Sequence, residues 1–208
     1  MDSWQIIKTP NLSGQENMAR DIQLFNDFEQ DKISSTLHIY SWQPKCISVG
    51  YSHDLDKWRK PGWEIVKRST GGGVVYHDKD EVAYAVVTAI DNPKLPAGLI
   101  PSYLKISEAV LAGLRELGIE AEISAHSTCL PAGTASHLAH STDLCFDEAL
   151  EYEIVSGDKK IVGSAQKRGK RALLQQGAMK LDKKIKFEEV ADGLVRGFNK
   201  ALKIKFVS

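Results

Sequence analysis

The sequence predicts an α+β fold, a mixed β-sheet with helices packed on one face. Three observations predict it. Short β-rich runs recur over residues 37–88 and 151–181, amphipathic segments stand before, between and after them, and no internal repeat or linker interrupts the chain. A chain of 208 residues is expected to form a single domain over residues 1–208. At that length about 70% of the unfolded surface is buried on folding, enough for a core without disulfides.

Ser13-Gly-Gln-Glu16 has the pattern of a capping box, and Met18, Ile22, Phe25 and Phe28 recur behind it at helical spacing. This predicts a first helix running to about Asp31. Leu37-His-Ile-Tyr-Ser-Trp42 and Cys46-Ile-Ser-Val-Gly50 are β-rich and joined through Pro44, which predicts a strand pair. Residues 65–68, 74–77 and 82–88 continue the sheet, with Gly71-Gly72-Gly73 at one bend. Three prolines mark residues 92–101 as a loop. Leu104, Val110, Leu111, Leu114 and Leu117 line one face of a second helix over 102–117, and Gly118 supplies its stop. Residues 120–124 read as a strand. Glu151-Tyr-Glu-Ile-Val-Ser156 and Lys159-Lys-Ile-Val-Gly-Ser164 flank Gly157-Asp158, which predicts a tight hairpin with Lys160 opposite Val155. Residues 173–181 are a further strand. Phe187, Val190, Ala191, Leu194, Val195, Phe198 and Leu202 form the clearest amphipathic helix.

Basic and acidic residues balance at 27 each, so net charge gives no case for a nucleic acid or a membrane partner. The apolar runs are too short to span a bilayer and no signal segment opens the chain. Cys46, Cys129 and Cys145 are an odd set without a disulfide framework, which points to a reducing compartment, the cytoplasm.

The chemistry-bearing stretches each admit a plain reading beside a functional one. Three consecutive glycines after Lys67-Arg-Ser-Thr70 serve either as an adaptable hairpin or as bare backbone that an acyl chain or phosphate can approach. They are not a nucleotide-binding loop, because a strand follows them and Gly-Lys-Ser/Thr is missing. Cys145, in Asp143-Leu-Cys-Phe146, is a small buried hydrophobe or, with a cation such as Lys160 beside it, a nucleophile. His126, Cys129, His137 and His140 resemble a zinc set in composition, yet Pro131 and Gly133 argue against one helix presenting them, and no metal site is expected. Lys159-Lys160, Lys167-Arg168 and Lys170-Arg171 form a basic tract, either a solvated face or a docking surface for an acidic protein.

Arg68-Ser-Thr-Gly-Gly-Gly-Val-Val-Tyr-His-Asp78, taken with Asp158-Lys-Lys-Ile-Val-Gly-Ser-Ala-Gln166, resembles the lipoate–protein ligase and octanoyltransferase family, whose catalytic fold is shared with biotin ligases. Asn17-Met-Ala-Arg20, Ser48-Val-Gly-Tyr51 and Leu174-Gln-Gln-Gly-Ala-Met179 extend the likeness over nearly the whole chain. The resemblance implies an enzyme of protein lipoylation, which joins an octanoyl or lipoyl group to a lysine of a lipoyl carrier domain in a 2-oxoacid dehydrogenase or glycine cleavage protein. It places Arg68, Gly71, Gly72, Gly73 and His77 around the acyl group, Lys160 on the acyl carbonyl, and Gly163 and Ser164 on the strand beside it.

Two branches of the family then compete. In the cysteine branch, Cys145 takes the acyl group from acyl carrier protein as a thioester, and no cofactor is required. In the ligase branch, ATP and Mg support an acyl-adenylate. Cys145-Phe146 before Tyr152-Glu-Ile154 matches the cysteine branch; the glycine at position 73, where many transferases carry arginine, matches the ligases. Gln176 and Ala178 stand where the family has histidine and a small hydroxyl residue. No C-terminal accessory domain is expected, which would suit a transferase, or a ligase with a separate second polypeptide. A non-catalytic member that binds an acyl group or its carrier is the third reading.

Overall fold

The computed structural model describes residues 3–79, 81–124, 152–181 and 185–207. Its main sheet has eight strands in the order β11-β1-β2-β6-β10-β9-β8-β7, with β1 Ser3–Leu12, β2 Thr36–Trp42, β6 Val82–Ala89, β7 Glu122–Ile123, β8 Ile154–Ser156, β9 Lys159–Arg168, β10 Ala172–Met179 and β11 Lys205–Val207. A smaller sheet, β4-β3-β5, is built from β3 Cys46–Val49, β4 Glu64–Lys67 and β5 Val74–His77. Helices α1 Gly14–Glu29, α2 Leu99–Glu116 and α3 Phe187–Leu202 complete it.

The helices pack on both faces of the main sheet, not on one. Strand β6 shows why. Val82, Tyr84 and Val86 enter a core with α2 and α3, whereas Ala83, Ala85 and Val87 enter a second core with α1. Period-2 alternation puts neighbouring residues on opposite faces, and both sets here are apolar or aromatic. All seven residues of β2 are buried for the same reason. Parallel pairing of β1 with β2, across α1, is the crossover that brings the first helix to its own face.

Local signals placed the helices. Ser13 Oγ accepts from Glu16 N at 3.2 Å while Ser13 N donates to the Glu16 carboxylate at 2.9 Å, closing the expected capping box. Glu64 on β4 also receives Gly14 N at 2.6 Å and Gln15 N at 2.9 Å, so the N-terminus of α1 is tied to the small sheet. On α3, Val190, Ala191, Leu194, Phe198 and Leu202 are buried as the apolar stripe requires. Gly193 and Gly197 let it approach α2 closely: a Cβ at Gly197 would lie 2.2 Å from Gly113 N.

The expected pairing of β2 with β3 does not occur. β3 pairs with β4 in parallel and with β5 in antiparallel, and β2 pairs with β1 and β6. Because β3 lies between β4 and β5, the glycine run crosses over the end of β3 and is not a hairpin. The segment expected as a strand over 120–124 forms only the two residues of β7. The hairpin at Gly157 has the expected register, with Val155 opposite Lys160 and Gly157 at φ +57. No helix among the described residues is long and apolar enough to cross a membrane.

Candidate functional site

The glycine run is held by its own neighbours. Tyr51 N donates to Thr70 O at 3.1 Å and Arg68 N to Val49 O at 2.8 Å, fastening the run to the end of β3. Gly72 sits at φ +85, a backbone that glycine adopts without the Cβ penalty of other residues. A Cβ at Gly50 would lie 2.0 Å from Gly72 O, so β3 must be followed by glycine for the run to lie over its end.

Arg68, only 8% exposed, reaches back under this run. One terminal nitrogen donates to Ser48 O at 2.6 Å and Ser48 Oγ at 2.7 Å; the other donates to Gly71 O at 3.2 Å and Gly73 O at 2.7 Å. A planar guanidinium can satisfy acceptors on two sides at once, which an ammonium cannot do in that geometry. The sequence reading set Arg68 against the acyl group; the structure shows it bracing the carbonyls of the glycine run.

Ser48 continues the network. Its Oγ lies 2.6 Å from His77 Nε2, and His77 Nδ1 lies 2.7 Å from the Glu81 carboxylate. Since the Ser48 oxygen accepts from Arg68, its own proton points to His77 Nε2, which leaves the imidazole proton on Nδ1 facing Glu81. Burial holds the His77 pKa below its ordinary value, and Glu81 opposes this only in part. The neutral ring stacks on Trp42 at 3.9 Å between centroids, with the planes 15° apart. His77 is thus a packed and hydrogen-bonded wall.

Three contacts join the small sheet to β9 and β10. Thr70 Oγ1 donates to Gln176 Oε1 at 2.8 Å, and Gln176 Nε2 donates to Asp21 Oδ2 at 2.6 Å. Asp21, fully buried on α1, is also bound by His38 Nδ1 at 2.7 Å and the Tyr40 hydroxyl at 3.1 Å. Beside this network, a Cβ on Gly72 would lie 3.9 Å from the Ala165 methyl, and Val75 packs on Ala178. Gly163 pairs with Ala178 and Ala165 with Gln176, so these four residues share the face turned to the glycine run. Ser164 points the other way. Its Oγ lies 2.8 Å from the Tyr84 hydroxyl in the core under α2 and α3, and Gly177 leaves the room: a Cβ there would lie 2.3 Å from Tyr84 Cε1.

Lys160 reaches the glycine-run face through an irregularity. Ile154 pairs with Val162, and both lie in the helix-side core; the next pair is Val155 with Lys160, so Ile161 is an extra residue in β9. In an unbroken strand Lys160, two residues from Val162, would point to the helices. The bulge turns it over. Paired with Val155, it shares the face of Gly163 and Ala165. Its ammonium is buried and lies 2.6 Å from the Glu153 carboxylate.

The structure therefore brings Gly71, Gly72, Gly73, Gly163 and Lys160 to one side of β9 and β10, with Arg68 and His77 behind the glycine run and the Ser164 side chain on the opposite face. Cys145 lies outside the described residues, as do His126, Cys129, His137 and His140. Cys46 is no substitute nucleophile, because burial and the nearby Glu64 push its thiol well up. The basic tract is partly engaged: Arg171 pairs with Asp31, and Arg168 donates to Ser102 Oγ at 3.1 Å. Sequence reasoning missed Ser48, Thr70, Glu81, Glu153 and Asp21 as parts of this architecture. Ser48 and Thr70 stood inside quoted motifs, whereas nothing local marks Asp21, which meets Gln176 across 155 residues of chain.

Known proteins resemble this chain in sequence and in fold. Residues 13–205 match the family model described as the lipoyl protein ligase A/B catalytic domain. Octanoyltransferase LipM of Moorella thermoacetica is 38% identical over 186 residues, covering 86% of this chain and 66% of the relative, just under two thirds of its length. Octanoyltransferase LipM of Staphylococcus aureus is 32% identical over 210 residues, covering 98% of this chain and 74% of the relative. Among solved structures, a lipoate-protein ligase A bound with ATP superposes with a TM-score of 0.77 at 24% identity, covering 100% of this chain and 88% of that one. That likeness is one of fold, an α+β biotin/lipoate ligase-like domain.

Proposed function

This chain belongs to the lipoyl protein ligase A/B catalytic-domain family, and we propose that within it the protein is an octanoyltransferase of protein lipoylation. It takes an octanoyl group from acyl carrier protein onto Cys145 and passes it to a lysine of a lipoyl carrier domain. The observation that carries this reading is the bulge at Ile161, which sets the buried Lys160 ammonium on the same side of β9 as the bare backbone of the glycine run. From Lys160 to Gly163 is roughly 10 Å along the strand, of the order of an extended eight-carbon chain. The acyl tail lies along Gly163 and Gly71-Gly72-Gly73, with its carbonyl at Lys160. The curated relatives, both octanoyltransferases by name, support transfer over ligation.

In the first step the Cys145 thiolate attacks the thioester carbonyl of the donor. A new S–C bond forms, the donor S–C bond breaks, and the carrier leaves as a thiolate. The Lys160 ammonium donates to the carbonyl oxygen as negative charge develops on it. In the second step the lipoyl-domain lysine amine attacks the Cys145 thioester; the amide forms, the S–C bond breaks, and the amine proton ends on the released sulfur. Because the incoming acyl group is already activated, neither ATP nor a metal enters the balance.

Incubating the protein with octanoyl-acyl carrier protein is expected to add one octanoyl mass to the peptide containing Cys145. Transfer to a lipoyl domain is expected to proceed without ATP and to stop in Cys145→Ala. Full transfer by Cys145→Ala, or strict dependence on ATP with formation of an acyl-adenylate, overturns the proposal.

A further inference from the structure

Glu153 belongs to none of the steps above, yet its carboxylate lies 2.6 Å from Lys160 Nζ, with the two side chains only 5% and 1% exposed. Three features aim it there. Tyr152, immediately before it, sits at φ +71, a left-handed backbone that a non-glycine residue keeps only when its surroundings impose it. Ser124 imposes it: Ser124 N donates to Glu153 O at 2.8 Å, Tyr152 N to Ser124 O at 3.2 Å, and Glu153 N to Ser124 Oγ at 3.2 Å. The extra residue at Ile161 then turns Lys160 to the same face of the sheet from the opposite strand. Backbone strain on β8's side and a bulge in β9 thus converge on one side-chain contact.

We infer that Glu153 is a positioning residue, whose carboxylate fixes the direction of the Lys160 ammonium toward the acyl carbonyl; this rests on the reading that Lys160 meets that carbonyl. An ammonium carries three donors on a rotating group at the end of a flexible stem. A carboxylate at 2.6 Å takes one donor and stops the rotation, so that the remaining two keep set directions. Glu153 needs no contact with substrate for this role. Its effect falls on the transition state, where the charge develops, and leaves donor binding largely as it was.

The test measures octanoyl transfer by Glu153→Gln, Glu153→Asp, Lys160→Met and the Glu153→Gln/Lys160→Met double variant. Glu153→Gln is expected to lower kcat by about 10–100-fold, the scale of a misplaced catalytic group, with KM for the acyl donor within about threefold of the parent. Glu153→Asp keeps the charge and is expected to recover part of that loss. The double variant is expected to be no slower than Lys160→Met alone, because the carboxylate acts only through the ammonium. Unchanged kcat in Glu153→Gln, or additive losses in the double variant, overturns the inference. Acetic anhydride labelling of Lys160, read by peptide mass spectrometry, gives a result that does not depend on transfer. It is expected to be at least about tenfold faster in Glu153→Gln, where the amine is released from its ion pair; equal rates overturn the inference. Failure of the parent protein to transfer from any acyl carrier would remove the octanoyltransferase reading while the labelling rate still decides the pairing.

Discussion

The two walls of the site are held in different ways. The glycine run is braced by Arg68, Ser48, His77, Glu81, Thr70 and Gln176, which come from both sheets, and behind Gln176 by Asp21 of α1. Most of its acceptors are backbone carbonyls or neutral side chains. The hairpin wall, β8 and β9, carries Lys160 next to the short terminal strand β7, and the Lys160–Glu153 ion pair joins residues seven apart in sequence. The difference is instructive. Where bare backbone must keep a shape, the fold distributes donors over several elements; the buried Lys160 ammonium has its carboxylate partner close by in the same hairpin, at the rim of the sheet. Rims are also where sub-global opening has the lowest free-energy cost.

Arg68→Ala is the strongest way to break the first wall. It leaves Ser48 O, Gly71 O and Gly73 O without the donor they share, and a loss of about 3–5 kcal/mol is expected in urea unfolding, since each buried acceptor left unpaired costs about 1–3 kcal/mol. A loss confined to activity, with stability intact, would show that the brace is not what keeps the run in place. Gly50→Ala comes next. Its new Cβ would sit 2.0 Å from Gly72 O, and overpacking of that kind costs about 1–3 kcal/mol, read as a lowered midpoint of thermal unfolding.

Glu81→Gln sharpens the comparison through pH. The folded His77 pKa lies below its ordinary 6.5 because of burial, with Glu81 pulling it partly back. The unfolded chain therefore binds this proton first. The contribution of His77 is fully present above pH 6.5 and is lost as pH falls from there through the folded value. Removing the carboxylate lowers the folded pKa further, so the acid loss extends over a wider range. At pH 7.5 the variant is expected to lose about 1–2 kcal/mol for the charged hydrogen bond, and more at pH 5.5. An equal loss at both values would show that His77 does not titrate in this way. The smallest effect is expected at Lys8, whose exposed pair with Asp192 at 2.7 Å contributes about 0–1 kcal/mol; Lys8→Ala serves as a control that should leave both walls unchanged.

What the sequence made legible was local. The Ser13 capping box, the stripe of α3 and the turn at Gly157 each lie within one helix or hairpin, and all three stand in the structure. Strands β1 and β11 were missed because they pair in parallel with residues far along the chain, a partnership without a turn to announce it. The false pairing of β2 with β3 had the opposite cause: the two are close in sequence and both are buried throughout, yet β2 bonds to β1 and β6 while β3 bonds to β4 and β5. Arg68 and the glycines stand together in the structure, but the hydrogen bonds of the arginine to their carbonyls were not legible, since a guanidinium beside glycines reads equally well as a ligand for substrate or for carbonyls. The bulge was invisible. Ile161-Val162 is as good a plain strand as any in the chain, and only the partner residues on β8 reveal the extra position.

That extra position has a consequence for how the chain tolerates change. Along β9, residues from Val162 onward keep one count of odd and even, and Lys160 keeps the other. Removing Ile161 would make the two counts agree: Lys160 would stay opposite Val155 and on the face of Gly163 by ordinary alternation, with no bulge needed to hold it there. Substitution at Ile161 and deletion of it are therefore different experiments: the first changes a side chain, the second changes the parity by which this hairpin is read.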